Sequence, residues 1–338
     1  MAVLAAMTAA PAVAELVSTS VVPAQTLSAT SSTYPVGTPD ASEPSGMAPP
    51  AADALLGYNQ TYVNDFNVAS LPAGWELFRG QAGGDPGSLW APSHVTVSDG
   101  LLKLNTYRDS AYNDAWVDGG ICQCDRSQTY GAYFVRSRTT GAGPTVVQLL
   151  WPANNSWPPE IDFNETDGLT SATSATTHYT SSNLSVESTL NIDMTKWHTF
   201  GVIWTPTSIT YTVDGQVWGT DSLVASIPNI PMTLDLDQQT WCDSGYACPN
   251  VPVSELVDWV AEYTEAPAHS PVVAAVPTVT RKGPTTGSSD AGAVMAVASP
   301  SVILLPGFAA LLLGAMAAVS RRRRSAMVHR PARRAVSR

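Results

Sequence analysis

The central part of the chain alternates between apolar and polar residues with the two-residue period of β-strands. The alternation runs through residues 95–107 on both sides of Asp99-Gly100, and it recurs at 198–204 and 208–213 before Asp214-Gly215. Asp-Gly beside such runs is a strong signal for a β-hairpin. Further strands are predicted at 130–138, 145–150, 232–236 and 256–263. No helical period persists for more than a few residues, so the pattern predicts an all-β antiparallel sandwich.

The two ends of the chain differ in composition from this central part. Residues 1–14 are rich in alanine and end in an A-x-A cleavage pattern, which indicates a signal peptide, although the usual positive charges are missing. A disordered alanine-rich start is the alternative. Residues 15–56 and 266–298 are rich in Ser, Thr, Pro and Ala, a composition that favours flexible segments. These segments flank one predicted folded domain at 57–265.

The C-terminal region has the pattern of a membrane anchor. Residues 299–320 form an apolar segment long enough to cross a bilayer core, and residues 321–338 contain eight arginines and no acids. By the positive-inside rule this tail lies in the cytoplasm and the domain lies at the extracellular face of the membrane or in the cell wall. A buried core helix is the alternative. Residues 283–287, Gly-Pro-Thr-Thr-Gly, resemble an L-P-x-T-G sortase signal without its leucine, so covalent wall attachment also stays open.

The charge of the chain restricts its partners. The chain has 17 basic and 28 acidic residues, and eight of the basic residues are the tail arginines. The rest of the chain is therefore strongly acidic, which disfavours nucleic acid and anionic polymers and fits a neutral polysaccharide. No glycine pattern of a nucleotide-binding loop occurs, and we expect a monomer.

Three carboxylates lie within six residues of one predicted strand. Residues 160–165 read Glu-Ile-Asp-Phe-Asn-Glu and follow Trp-Pro-Pro. Strict alternation puts Glu160 and Asp162 on one face and Glu165 on the other, whereas one extra residue, a β-bulge, returns Glu165 to the face of the other two. Acids on one surface repel each other, but a retaining glycosidase needs one carboxylate as nucleophile and a second as a protonated acid about 5–5.5 Å away.

These residues resemble the signature of glycoside hydrolase family 16, E-x-D-x-x-E preceded by Trp-Pro. Five further segments resemble the family in the same order along the chain: 64–67, 99–104, 130–136, 200–215 and 257–260. The resemblance implies a β-jelly-roll sandwich with a concave substrate cleft and retaining hydrolysis. It assigns Glu160 as nucleophile, Asp162 as assisting carboxylate and Glu165 as acid/base.

The bulged form of the signature resembles the laminarinase branch of the family, which implies an endo-acting enzyme on β-1,3- or β-1,3-1,4-glucan. The chain departs from that branch at Asn164, where Met is usual, and at 234–239, where an Asn- and Gly-rich strand is usual. These departures leave the substrate open. A transglycosylase that remodels the envelope and a non-catalytic carbohydrate-binding wall protein are the alternatives.

Aromatic residues are candidates for substrate binding because sugar rings stack on aromatic faces. The candidates are Trp157, Trp151, Trp116 and Trp241, together with His178, which follows the catalytic strand. Ordinary packing is the alternative for Trp151, Trp116 and Trp241, and a surface or structural role for His178, whereas Trp157 is favoured by its position in the motif. Trp204 and Trp259 are assigned to the core.

The four cysteines suggest disulfides in an exported chain. Cys242 and Cys248 are the preferred pair; Cys122 and Cys124 would close a small strained ring, so cross-pairing stays open. Their spacing does not fit common zinc motifs. We expect no catalytic metal and no required cofactor. The resemblance allows a structural calcium ion, although no acidic loop in this sequence identifies one.

Overall fold

The computed structural model describes residues 19–21, 34–81, 88–240 and 248–267, and the structural findings concern these ranges. They contain short 3₁₀ helices at Pro92–His94 and Ser110–Tyr112, and all other regular structure is β-strand. The strands are β1 Thr19–Val21, β2 Thr38–Pro39, β3 Met47–Ala48, β4 Tyr58–Asn64, β5 Glu76–Leu77, β6 Gly80–Gln81, β7 Ser88–Trp90, β8 Val95–Ser98, β9 Leu101–Asp109, β10 Ala115–Asp118, β11 Gly120–Cys122, β12 Gly131–Thr139, β13 Thr145–Pro152, β14 Glu160–Glu165, β15 Ala172–Tyr179, β16 Leu184–Asn191, β17 His198–Trp204, β18 Ile209–Val213, β19 Gln216–Asp221, β20 Met232–Gln239 and β21 Val253–Glu265.

The strands form two large sheets, as the alternation predicts. The first sheet has the order β1-β16-β15-β14-β13-β20-β11-β5. The second sheet has the order β19-β18-β17-β12-β21-β9-β10-β7-β6, with β4 also paired to β21 and β8 to β9. Strands β2 and β3 form a separate small hairpin. An all-β sandwich of this kind matches a jelly roll.

Both predicted Asp-Gly turns are present. Asp99 and Gly100 have φ values of 58° and 71°, and Asp214 and Gly215 have values of 46° and 77°. Two consecutive residues with positive φ form the turn that follows the twist of paired strands. The turns join β8 to β9 and β18 to β19 in antiparallel register.

The main hydrophobic core lies between the two sheets. Strand β14 contributes Ile161 and Phe163, neither of which is exposed, and the second sheet contributes residues such as Trp204. Trp259 is equally buried but belongs to a second cluster, with Phe134 and Ala261. Both tryptophans are therefore core residues, as predicted.

For residues 34–56 the structure corrects the prediction of a flexible segment at 15–56, because these residues pack on the second sheet. Trp259 Nε1 donates a hydrogen bond to the Met47 carbonyl at 3.0 Å, and Arg136 Nε donates to Ser45 Oγ at 2.6 Å. Composition suggested disorder because this segment has too little apolar surface for a core of its own. It is ordered because the outer face of the second sheet supplies the apolar partners.

Several predicted segments lie outside the described residues. They are the signal peptide at 1–14, most of the linker at 266–298, the apolar segment at 299–320 and the basic tail at 321–338. Within the described ranges, no helix has the length and apolar character needed to cross a membrane.

Candidate active site

The predicted β-bulge is present in the strand of the three acids. On strand β15, Glu160 lies opposite His178, Asp162 opposite Thr176 and Glu165 opposite Ser174. The three partners are spaced two residues apart and so share one face, whereas Asp162 and Glu165 are three residues apart. The register shift between them returns Glu165 to the face of Glu160 and Asp162, because a bulge places two residues opposite one.

Glu160 lies at the start of this strand, where a tryptophan holds its carboxyl group. Trp157 Nε1 donates a hydrogen bond to Glu160 Oε2 at 2.7 Å. Glu160 is 9% exposed, and burial, followed by the charge of Asp162, raises its pKa to about 8. The indole N–H and the charge of His178 oppose this shift because both stabilise the carboxylate.

His178 forms an ion pair with the middle acid. Its Nε2 lies 3.3 Å from Asp162 Oδ2, and its Nδ1 lies 2.8 Å from Asn183 Oδ1. Burial opposes the charged imidazole, but the hydrogen bond to Asp162 and the charges of Asp162 and Glu160 outweigh it and raise the pKa of His178 to about 10. Both ring nitrogens of the imidazolium then donate, since both partner atoms are oxygens.

The same three side chains have metal-ligand spacing. The ligand atoms of Glu160, Asp162 and His178 all lie within 4.8 Å of one another. A metal would need the lone pair of an imidazole nitrogen, and protonation of His178 removes that lone pair. A proton and a metal ion would therefore compete for the same nitrogen of His178.

The carboxyl of Glu165 holds its proton more strongly than an ordinary glutamate does. Its pKa is raised well above the usual range by burial and then by the charges of Asp162, Asp167 and Glu160, and the charge of His178 opposes the shift. Among the described residues, no N–H group donates a hydrogen bond to the Glu165 carboxyl in the way that the Trp157 indole donates to Glu160. The site thus separates two carboxyls into one that ionises more readily and one that retains a proton, which is the pattern of an acid/base pair.

Two further acids on this face were not among the predicted site residues. Asp235 and Asp237 on β20 lie opposite Leu149 and Val147, the residues that face Asp162 and Glu165 across β13. Each is 2% exposed. Burial raises the pKa of Asp237 well above its usual range. The alternation Leu-Asp-Leu-Asp-Gln-Gln at 234–239 was the signal for them, since period two places both acids on one face.

The aromatic candidates separate into three groups. Trp157 contacts Glu160, and Trp151 lies on β13 beside the catalytic strand, where its Nε1 donates to Asn155 Oδ1 at 3.1 Å. Trp116 was predicted for the cleft but lies on β10 of the second sheet, with the Arg108 guanidinium carbon 5.1 Å from its ring centroid. Loop position could not reveal which sheet it joins. Trp241 lies outside the described residues.

The structure pairs Cys122 with Cys124, so the cross-pairing that the sequence left open does not occur. Cys122 and Cys124 are joined by a disulfide with their Cα atoms 5.0 Å apart, a usual separation. Strand β11 ends at Cys122, and the Gln123 amide donates a hydrogen bond to the Leu234 carbonyl at 2.8 Å, so the contact with β20 continues for one residue between the two cysteines. Cys248 is also disulfide-bonded, while Cys242 lies outside the described residues.

Replacing His178 with Ala should move the acidic limb of the pH profile of kcat/KM to higher pH. The imidazolium lowers the pKa of Glu160, so its removal leaves Glu160 protonated over a wider range. We expect kcat/KM to fall about 10- to 100-fold near pH 6, with a smaller loss at higher pH. The measurement is the pH dependence of kcat/KM on a soluble glucan.

His198 provides the matched control for this experiment. It also pairs with an aspartate, with Nδ1 2.7 Å from Asp214 Oδ2, but it lies on β17 of the second sheet. His198→Ala should leave the profile in place. An unmoved acidic limb in His178→Ala would show that His178 does not tune Glu160.

A β-sandwich with two acids of raised pKa on one face of a sheet fits the class of glycoside hydrolases. Residues 85–242 match the sequence model of the family Glycosyl hydrolases family 16. This match supports the assignment of the domain to that family.

Several known proteins are similar to this chain. The Endo-1,3-1,4-beta-glycanase ExsH of Rhizobium meliloti (strain 1021) is 38% identical over 131 residues, which cover 35% of this chain and 28% of that relative. The laminarinase structure from Rhodothermus marinus has a TM-score of 0.57 at 19% identity and covers 62% of this chain and 98% of that one. The structure of SCLam, a non-specific endo-beta-1,3(4)-glucanase, has a TM-score of 0.55 at 19% identity and covers 70% and 97%. At 19% sequence identity, these two similarities show that the chain shares the fold of those structures and nothing beyond the fold.

Proposed function

We propose that this domain is a retaining endo-β-glucanase that hydrolyses β-1,3- or β-1,3-1,4-linked glucan by double displacement. The observation that carries the proposal is the bulge in β14, because it places Glu165 on the same face as Glu160 and Asp162. The difference between the pKa values of Glu160 and Glu165 supports the same roles. The match to glycoside hydrolase family 16 also supports this chemistry, because the matched residues include Glu160, Asp162 and Glu165.

In the first step ionised Glu160 attacks the anomeric carbon, and Glu165 gives its proton to the departing glycosidic oxygen. The bond from the anomeric carbon to that oxygen breaks as the glycosyl ester forms. In the second step Glu165 takes a proton from water, and the hydroxyl oxygen displaces Glu160 from the anomeric carbon. Asp162 lies beside Glu160 and is held in place by its contact with His178.

A neutral glucan is the substrate class that the charge of the first sheet favours. The described strands of that sheet contain no Lys or Arg, while they carry the three catalytic acids, Asp235 and Asp237. An anionic polysaccharide would be repelled by this surface. The names of the similar proteins, a laminarinase and 1,3-1,4- or 1,3(4)-acting enzymes, point to β-glucan.

The sequence supports an extracellular location for this activity. We propose that the apolar segment at 299–320 and the arginine-rich residues 321–338 tether the domain to the outer face of the membrane. The Cys122–Cys124 disulfide fits an oxidising compartment.

The full chain should release reducing ends from laminarin or lichenan and produce the β-anomer first. The assay is a panel of laminarin, lichenan, agarose and a galactan, with ¹H NMR of the anomeric protons in the first minutes. The same preparation of Glu160→Gln controls for contaminating hydrolases. Initial α-anomer would contradict retention. Binding without release would indicate a carbohydrate-binding protein, and lengthened chains a transglycosylase.

A further inference from the structure

The interior behind the catalytic bulge is polar, although most of the space between the sheets is apolar. At the bulge, Phe163 and Asn164 together lie opposite one residue of β15, so both side chains point away from the acidic face. Phe163 enters the hydrophobic core, whereas Asn164 buries an amide with no exposed surface. Thr173 Oγ1 donates a hydrogen bond to Asn164 Oδ1 at 2.6 Å.

The polar contacts continue from the bulge across to the second sheet. Gln148 on β13 is the register partner of Asn164 and is also fully buried. Gln148 Nε2 lies 2.6 Å from Ser137 Oγ and 2.7 Å from Glu255 Oε1. Ser137 and Glu255 belong to β12 and β21, so this glutamine ties the strand beside the bulge to two strands of the opposite sheet.

These buried polar groups lower the stability of the fold. A purely structural role therefore does not explain why they are present. Asn164 Nδ2, Gln148 Oε1 and Glu255 Oε2 have no hydrogen-bond partner among the described residues. Each such buried group costs about 1–3 kcal/mol, and apolar residues of the same size would avoid that cost. Burial raises the pKa of Glu255 to about 8, so its carboxyl carries an O–H at neutral pH. Gln148 Oε1, on the neighbouring side chain, is an acceptor without a donor, and an O–H group such as that of Glu255 could supply one.

The bulge is also the place where a small displacement would affect chemistry most. The Glu165 carbonyl accepts hydrogen bonds from Thr173 Oγ1 at 3.2 Å and Ser174 Oγ at 3.4 Å, so the backbone of the acid is tied to the same group of polar residues. An acid must lie within hydrogen-bond reach of the oxygen it protonates. A slip of the register by one residue would turn Glu165 to the interior face.

We propose that Asn164, Gln148 and Glu255 are positioning residues for Glu165, which hold the bulge in the register that presents this acid to the substrate. The proposal rests on the proposed function in one respect, the role of Glu165 as acid/base. The Asn164 amide accepts a hydrogen bond from Thr173 on the neighbouring strand, and Gln148, its register partner, ties the bulge region to the opposite sheet through Ser137 and Glu255.

The dependence of the rate on the leaving group tests this proposal. Asn164→Leu and Gln148→Leu, made in the full chain, are assayed with phenyl and 2,4-dinitrophenyl β-laminaribiosides. A phenolate leaves poorly and needs the acid, whereas a dinitrophenolate leaves without it. We expect kcat/KM to fall about 10- to 100-fold for the phenyl substrate and less than about 3-fold for the dinitrophenyl substrate. Equal losses on both substrates would overturn the proposal.

Tyr211→Phe is the matched control. Tyr211 is buried between the same sheets, and its hydroxyl lies 2.8 Å from Thr177 Oγ1 on β15, away from the bulge. Losing this hydrogen bond should lower stability without changing the ratio of the two rates. If Asn164→Leu fails to fold, Glu255→Leu and Glu255→Gln give the same comparison. Gln resembles the protonated acid, so Glu255→Gln should keep a near wild-type ratio and Glu255→Leu should not.

A second readout needs no substrate, so it separates this proposal from the proposed function. The full chain, labelled with [5-¹³C]glutamate, is titrated by NMR, and the Glu165 signal is identified by its loss in Glu165→Gln. We expect Asn164→Leu to move the pKa of Glu165 towards its ordinary value, because a displaced carboxyl leaves Asp162, Asp167 and Glu160 and gains water; His178 opposes only part of their effect. An unchanged pKa in a folded variant would overturn the positioning role even if no glucan is hydrolysed.

Discussion

Replacing Glu160 with Gln should lower kcat for glucan hydrolysis by at least about 10⁴-fold while glucan binding survives. The amide lacks the charge needed to attack the anomeric carbon, so the covalent step is lost. Gln has the size of Glu, and its amide oxygen can still accept the Trp157 N–H bond that now measures 2.7 Å. The measurements are initial rates on laminarin or lichenan, and binding by calorimetry with a laminari-oligosaccharide.

Glu262→Gln is the control matched in burial. Glu262 is 3% exposed, and burial raises its pKa to about 7, but it lies on β21 of the second sheet. Its replacement should leave kcat within about 3-fold of wild type, because it is remote from the bond being cleaved. A Glu160→Gln protein that keeps a tenth of the activity would show that another group is the nucleophile.

Azide should distinguish the roles of the two carboxyls. In Glu160→Ala, azide can attack an activated aryl glycoside from the side that Glu160 occupied, which yields an α-glycosyl azide. In Glu165→Ala, the covalent intermediate still forms, and azide attacks it from the opposite side, which yields a β-glycosyl azide. Exchanged products would reverse the assignment of nucleophile and acid/base.

The domain should lose stability as the pH rises from about 4.5 to 8, and Glu255→Gln should remove part of that loss. The pKa of Glu255 is raised from 4.5 to about 8 by burial, so in this window the unfolded chain is ionised while the folded chain keeps the proton. Below the window both states are protonated, and above it both are ionised, so stability is flat at either side. The full shift corresponds to roughly 4–5 kcal/mol, an upper bound.

Urea unfolding between pH 4 and pH 9 measures this effect in wild type and Glu255→Gln. Other buried acids, among them Glu160, Glu165 and Asp237, give slopes of the same sign, but they are common to both proteins and cancel in the difference. Glu265→Gln, at the exposed end of the same strand, should leave the difference near zero. Parallel curves for wild type and Glu255→Gln would mean that Glu255 is ionised in the folded state.

Local sequence determined a large part of this fold. Asp99-Gly100 and Asp214-Gly215 specify positive φ at adjacent positions, so two hairpins follow from chemistry within a few residues. Strand β17 begins and ends at the predicted residues, His198 and Trp204. The spacing of Glu160, Asp162 and Glu165 predicted the bulge, because period two allows three acids on one face only if a residue is added.

Local sequence patterns did not predict the contacts between segments that are far apart along the chain. Trp116 was predicted for the cleft from its loop position, yet it joins the second sheet, because strand order depends on pairing partners far along the chain. Residues 34–56 appeared too polar to be ordered, yet the outer face of the second sheet orders them. Asp235 and Asp237 were visible as an alternation, but their place beside Glu165 depends on the pairing of β20 with β13.

The sequence by itself determined which carboxyls share a face, because that property depends on residue spacing along one strand. Only the tertiary structure decided which of them keeps a proton and what lies behind them. The pKa of Glu165 depends on burial and on Asp167 and His178, and Gln148, the register partner of Asn164, meets Glu255 only when the two sheets pack together. Protonation and positioning are set by distances through space, and those distances exist only in the folded sandwich.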